Sequence, residues 1–176
     1  MIGKLDDVPA LDRPDLLGVP VAEALRRWPD AAEVRVAEID PELADTAAFC
    51  AAYDIGLDAS ANCVVVAGKR GGETRYAACL VLATTRADVN GVVRRYLDVR
   101  KASFAAVEEA VSLTGMEYGG ITPLGLPAGW PVLVDAQVVE VPAAVIGSGV
   151  RRSKLVLPGA ALARMPGAEV LPNLAH

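Results

Sequence analysis

Apolar residues at Val21, Ala24, Leu25 and Trp28 recur at helical spacing and Pro29 follows, so a short amphipathic helix is expected just after residue 20. "EVRVAEI", 33–39, alternates as a half-buried strand does. Asp40-Pro41-Glu42 then supplies a cap, a proline for the first turn and an early acid, which predicts a helix over about 42–54, with Gly56 just past it. "NCVVVAGKRGGETRYAACLVLAT" is two β-rich runs around a Lys-Arg-Gly-Gly turn and reads as a central hairpin. Two short helices are expected next. Asp88 caps one that turns Val89, Val92, Val93 and Leu97 inward; Ser103 caps the other, with Phe104, Val107 and Val111 inward and Gly115 at its exit. "VLVDAQVVEV", "AAVIGSGV" and "SKLVL" look like further strands, Pro158-Gly159 ends the last, and 160–165 forms a closing helix. Residues 1–19, with Pro9, Pro14 and Gly18, read as a poorly structured lead-in to one domain over 20–176. The expected fold class is α+β, with a central mixed, mostly antiparallel sheet flanked by short helices.

Between the second helix and the later strands lies "GGITPLGLPAGWP", 119–131, with four glycines and three prolines among mostly apolar neighbours. Neither a strand nor a helix tolerates that density of Gly and Pro. A loop that only faced water would be polar. The stretch therefore reads as a rigid, shaped loop whose backbone is accessible to a ligand.

Composition narrows the chemistry. Hydrophobic residues make up 53% of the chain, yet no run approaches the roughly 20 apolar residues of a membrane span. No secretory signal is visible, so a soluble, cytoplasmic protein without membrane partners is expected. Cys50, Cys63 and Cys79 are odd in number, lack C-x-x-C spacing and sit in apolar surroundings, which suits buried thiols. A net charge of −5 opposes strong nonspecific affinity for nucleic acid. Arg94, Arg95, Arg100, Lys101, Arg151, Arg152 and Lys154 nevertheless fall in short clusters, which either meet in space or are solvated faces. The only histidine is His176, the last residue, so triad chemistry and the common zinc-hydrolase sites lack their imidazoles.

From about Asp54 to Met165 the sequence resembles the YbaK/ProX family of aminoacyl-tRNA editing domains. The resemblance is carried by "LTGMEYGGITPLGLPAGWPVLVD", 113–135, and by "IGSGVRRSKLVL", 146–157. It implies hydrolysis of the ester that joins a wrongly attached amino acid to the terminal ribose of tRNA, by a trans-acting deacylase. The implied mechanism needs no metal and no organic cofactor, because a ribose hydroxyl of the substrate assists the attacking water. Backbone N–H groups aimed at the developing oxyanion suit such a site, one donor contributing on the order of 10²- to 10³-fold. Gly119 and Gly120 are the candidates to hold the carbonyl, with Asn62 as the third catalytic residue. Thr122 and Pro123 would orient the ester and fix the turn, while Gly147, Ser148 and Gly149 would form the opposing wall. The same glycines also read as structural turns, and Asp135 either caps a turn or touches the ligand. The partners implied are the aminoacyl-tRNA acceptor end and a synthetase; the oligomeric state stays open.

One departure matters. The family's signature lysine, in Ala-Lys-Thr-Leu, aligns with Asn62 in Ala61-Asn62-Cys63-Val64. Exchanging a charged donor for a neutral amide costs ~1 to 2 kcal/mol, or roughly 5- to 30-fold, if the lysine only steadies the substrate. Either Asn62 still orients the ester, with Lys101 or Lys154 supplying charge from elsewhere, or the chain is an inactive homologue. Such a homologue would bind an aminoacyl or nucleotide end, or a protein partner. A scaffold that uses the fold for self-association is a third reading.

Overall fold

The computed structural model describes residues 2–176. In chain order its elements are β1 (Asp7–Pro9), α1 (Val19–Arg27), β2 (Arg35–Glu38), α2 (Thr46–Tyr53), β3 (Ala61–Arg70), β4 (Glu73–Leu82), α3 (Arg94–Leu97), β5 (Ala102–Phe104), α4 (Val107–Thr114), β6 (Val132–Asp135), α5 (Ala136–Val139), β7 (Ala144–Gly147), β8 (Ser153–Leu157), α6 (Gly159–Leu162) and β9 (Ala168–Leu171). The strands form two sheets. One is antiparallel in the order β1-β2-β8-β7; the other runs β5-β3-β4-β6-β9, with β6 parallel to both β4 and β9. A parallel bridge from Ser60 to Val145 joins them, so the start of β3 sits beside β7. This is a single α+β domain with mostly antiparallel pairing.

The alternation of β3 divides the core. Ala61 packs with α1 residues Val21 and Leu25, together with Val36, Leu80, Val134 and Leu155. Val66, on the other face, packs with Cys79, Val93, Leu97 and Leu133. A third cluster places Phe49 of α2 over Ile39, Val145 and Val156. Each fully buried Leu or Phe contributes roughly 1.5 to 3 kcal/mol, so these clusters hold both sheets and α2 around the seam.

Several expected elements form differently. Residues 5–17 are part of the fold: β1 pairs with β2, and Leu5, Leu16 and Leu17 are buried; Met1 of the expected lead-in lies outside the described residues. The helix expected from 42 divides into a short 3-10 turn at Pro41–Leu43, where Asp40 accepts from the Glu42 N–H, and α2. Ser103 does not cap a helix. Residues 102–104 pair with β3 instead, α4 begins at Val107, and Phe104 and Val107 stay exposed, because the open edge of β3 takes up the backbone first. "VLVDAQVVEV" is a strand only to Asp135. That carboxylate then accepts from the Gln137 N–H and starts α5.

Candidate functional site

At the seam between the sheets lies a cleft of ≈ 380 Å³, lined by residues that include Asp45, Thr46, Asn62, Gly119, Gly147 and Lys154. Its floor is set by the Ser60–Val145 bridge and by the Val145 N–H, which donates to the Ala59 carbonyl at 2.8 Å. Its roof is the 117–121 turn. The Glu117 N–H donates to the Gly149 carbonyl at 2.9 Å and the Gly149 N–H to that of Gly120 at 2.7 Å, which ties the turn to the β7–β8 connection.

Glycine is required here for close approach. A Cβ on Gly147 would stand 2.6 Å from the Gly120 oxygen and 2.7 Å from that of Ile121. One on Gly120 would meet the Val150 backbone at 2.7 Å. Gly149, at φ +90°, touches the Gly18 Cα in the same way. Gly119, at φ +85°, leaves room for the Arg151 guanidinium.

Asn62 is half-buried on β3. Its Oδ1 accepts from the Thr46 hydroxyl at 2.8 Å, which leaves the amide N–H groups without an acceptor among the described residues. The Gly119 N–H likewise has none. Lys154, from β8, is buried at 8% exposure. Its Nζ donates to the Ala44 carbonyl at 3.0 Å and lies 5.2 Å from the centre of the Phe49 ring. An ammonium has three N–H groups, so the bond to Ala44 leaves donors for the cleft. Desolvation, and then the nearby Arg151 charge, pull the Lys154 pKa below its ordinary value. Arg151 donates to the carbonyls of Tyr118 and Pro41, both at 3.1 Å, and stands 3.7 Å from Asp45, so it staples the two sides of the cleft mouth. Cys63 also lines the cleft, but burial pushes its thiol up, which leaves no thiolate nucleophile at neutral pH.

The seam gathers Asn62, Gly119, Gly147 and Lys154 and leaves the other candidates outside. Gly120 cannot serve as an oxyanion donor, since its N–H is used by the Glu117 carbonyl at 2.9 Å. The Thr122 hydroxyl is fully buried, has no partner among the described residues and does not line the cleft. Pro123 faces a second cavity of ≈ 630 Å³ against α1. That cavity is larger, but its charged residues are only Glu23 and Arg27, and it holds none of the donors described above. Ser148 is buried against Ser153, whose hydroxyl donates to it at 2.7 Å. Gly149 is spent on packing, and Asp135 accepts from the N–H groups of Gln137 and Ala175, both at 2.9 Å. Lys101 precedes the residue paired with Gly68, six positions along β3 from Asn62 and therefore roughly 20 Å away.

Asp45 and Thr46 are cleft residues that sequence reading missed, because it placed them inside a helix. Their signal was a second cap-like pair after Asp40: Asp45 takes the N-cap position of α2. Among the described residues, no three His, Cys, Asp or Glu side chains group so as to hold a metal ion. No helix among them is long and apolar enough to cross a membrane.

Over residues 40–165 the sequence matches the aminoacyl-tRNA editing domain family. The chain belongs to that family. Among solved structures, the editing domain is similar to a candidate trans-editing enzyme for prolyl tRNA synthetase, at 22% identity and a TM-score of 0.74, covering 87% of this chain and 93% of that one. It is also similar to the hypothetical protein APE2540, at 18% identity and a TM-score of 0.77, over 89% and 99% of the two chains. These likenesses show the fold. In the cleft of this editing domain Asn62 of β3 and Lys154 of β8 both contribute to the lining.

Proposed function

We propose that this editing domain is a trans-acting aminoacyl-tRNA deacylase that hydrolyses the ester of a mischarged tRNA. The observation that carries the reading is the convergence of three donors on one cleft: the Gly119 N–H, the Asn62 amide and the Lys154 ammonium. Such donors stabilise negative charge on a carbonyl oxygen without imidazole. In the reaction, the oxygen of a water molecule bonds to the ester carbonyl carbon and the carbon–oxygen bond to the ribose breaks. The proton released by the water passes to the ribose oxygen, giving free amino acid and deacylated tRNA. Gly119 and Asn62 hold the carbonyl oxygen, Lys154 supplies the charge that Asn62 lacks, and Gly147 lets the opposing wall close. A neighbouring ribose hydroxyl assists the water, so the site needs no general base of its own.

Asn62 itself favours a second reading, a homologue that binds the aminoacyl end without cleaving it. A panel of mischarged tRNAs separates the two. Deacylation above background for at least one supports the deacylase; binding with no deacylation for any supports the binder.

A further inference from the structure

The charges of this acidic chain are segregated. Residues 69–75 and 94–101 together hold seven Lys and Arg against two acids, Glu73 and Asp98. The rest of the chain holds ten Lys and Arg against twenty Asp and Glu. The fold brings these two segments together at the far end of the β3–β4 hairpin. Arg75 donates to the Leu97 carbonyl at 2.8 Å and Arg70 to that of Asp98 at 3.1 Å. Ala102, next to Lys101, pairs with Gly68, next to Lys69. Arg70 and Arg75 also pair with the Asp98 carboxylate, so that acid is already engaged. Lys69, Arg95, Arg100 and Lys101 are exposed, and no ion pair or side-chain hydrogen bond holds them among the described residues.

We infer that this basic end is the docking surface for the sugar-phosphate backbone of the tRNA acceptor stem. The inference rests on the editing reading for the identity of the RNA. Strand β3 is the ruler: Asn62 is in the cleft and Lys69 is seven residues on, a separation of about 24 Å. At ~3.4 Å per phosphate along a stacked strand, that is on the order of seven nucleotides back from the ester. The surface therefore lies beyond a short single-stranded 3′ end, against the duplex, where contacts go to phosphates and shape. Charge separation along the strand lets a chain of net negative charge hold RNA at one end while its remaining surface repels it.

The test measures binding of an uncharged tRNA transcript across a KCl titration, beside hydrolysis of a small ester, a 3′-aminoacyl-adenosine, which does not reach the basic end. Four free cations set a slope of about −3 to −4 in log K against log salt, or roughly 60- to 250-fold between 50 and 200 mM. Lys69→Glu, Arg95→Glu and Arg100→Glu combined should weaken binding roughly tenfold or more at low salt and flatten the slope towards about −1. The Gln versions of the same three should do so to a lesser degree, and both triple variants should melt as the parent does. Hydrolysis of the small ester should not change. Undiminished tRNA binding by the folded Glu variant, or a parental slope shallower than about −1, overturns the inference. So does parental binding to phosphatidylserine vesicles that the Glu variant loses while tRNA binding persists. Because the readout is binding, it stands apart from the deacylase reading. A parent that hydrolyses no ester yet loses tRNA on charge reversal sinks the chemistry and keeps the surface; a parent that hydrolyses esters with unaltered tRNA binding in the variant does the reverse.

Discussion

Replacing Lys154 by Met asks whether the charge of the editing site has moved from one wall of the cleft to the other. The ammonium is anchored by the Ala44 carbonyl at 3.0 Å and the Phe49 ring at 5.2 Å, which leaves an N–H available for a substrate oxygen. A charge-assisted hydrogen bond contributes roughly 1.5 to 3 kcal/mol, so Lys154→Met should lower kcat/KM by roughly 10- to 150-fold. Stability should change far less. The variant loses the bond to Ala44 and the contact with Phe49, but it also removes the desolvation cost of a buried cation, and a thioether packs well on a ring. A net within about 1 kcal/mol is expected. The assay is single-turnover hydrolysis of a mischarged tRNA, with thermal unfolding of the same preparations. Asn62→Lys in the Lys154→Met background returns a cation to the same cleft from β3 and should recover a large part of the rate. Added to the parent, Asn62→Lys should gain little, since a second cation repels the first and the Thr46 bond is lost. Activity within twofold of the parent for a folded Lys154→Met protein refutes the role of the charge. A double variant as inactive as Lys154→Met refutes the equivalence of the two walls.

Thr122→Val should stabilise the protein by about 1 to 2 kcal/mol and leave deacylation unchanged, because it removes a buried hydroxyl with no partner; a melt shows the first and a rate the second, and a large loss of activity would return Thr122 to the site. Gly147→Ala should cost about 1 to 3 kcal/mol and most of the activity, since its Cβ meets two carbonyl oxygens below 3 Å and forces the 117–121 turn outward; unchanged Tm and rate would show that the turn yields freely. The Lys154-dependent part of the rate should fall with rising pH through a pKa below the ordinary 10.5 of lysine, because burial and Arg151 both disfavour the cation. Lys154→Arg, which keeps its proton, should lack that alkaline limb in a background-corrected pH profile. Between the folded pKa and 10.5 the unfolded chain holds the proton that the folded chain has released, so stability rises with pH across that window.

What was legible in the sequence followed from local periodicity. The β3–β4 hairpin, α1, β2 and β8 come from runs whose alternation or helical spacing leaves one reading, and they form as expected. Residues 102–104 were misread because their outcome is decided at a distance, whereas 136–139 were misread although Asp135 caps them locally. Phe104 reads as an inward helical residue until β3 presents a free edge that pairs with it. Asp135 reads as a turn cap or a ligand contact, and the structure makes it the cap of α5 through the Gln137 N–H, while the Ala175 N–H, forty residues on, takes its other oxygen. Pairing partners and chain ends have no signature within a short window, so propensity gives way to tertiary context there.

The site shows the same division at the level of single glycines. A Gly-Gly turn followed by Pro reads as two exposed N–H groups, but only the amide of Gly119 is without a partner; that of Gly120 closes the turn on Glu117. The second glycine is needed because the Val150 backbone approaches to within 2.7 Å of where its Cβ would stand, and Gly147 is needed because the carbonyls of Gly120 and Ile121 press on it. Glycine density therefore signals backbone packed on backbone as much as backbone offered to a ligand. In this editing domain the packing comes first: by locking the 117–121 turn onto the β7–β8 connection, it positions Gly119 across the cleft from Asn62. A turn held that tightly has only one donor to give, which is why the chemistry proposed here depends on Lys154 rather than on a second amide.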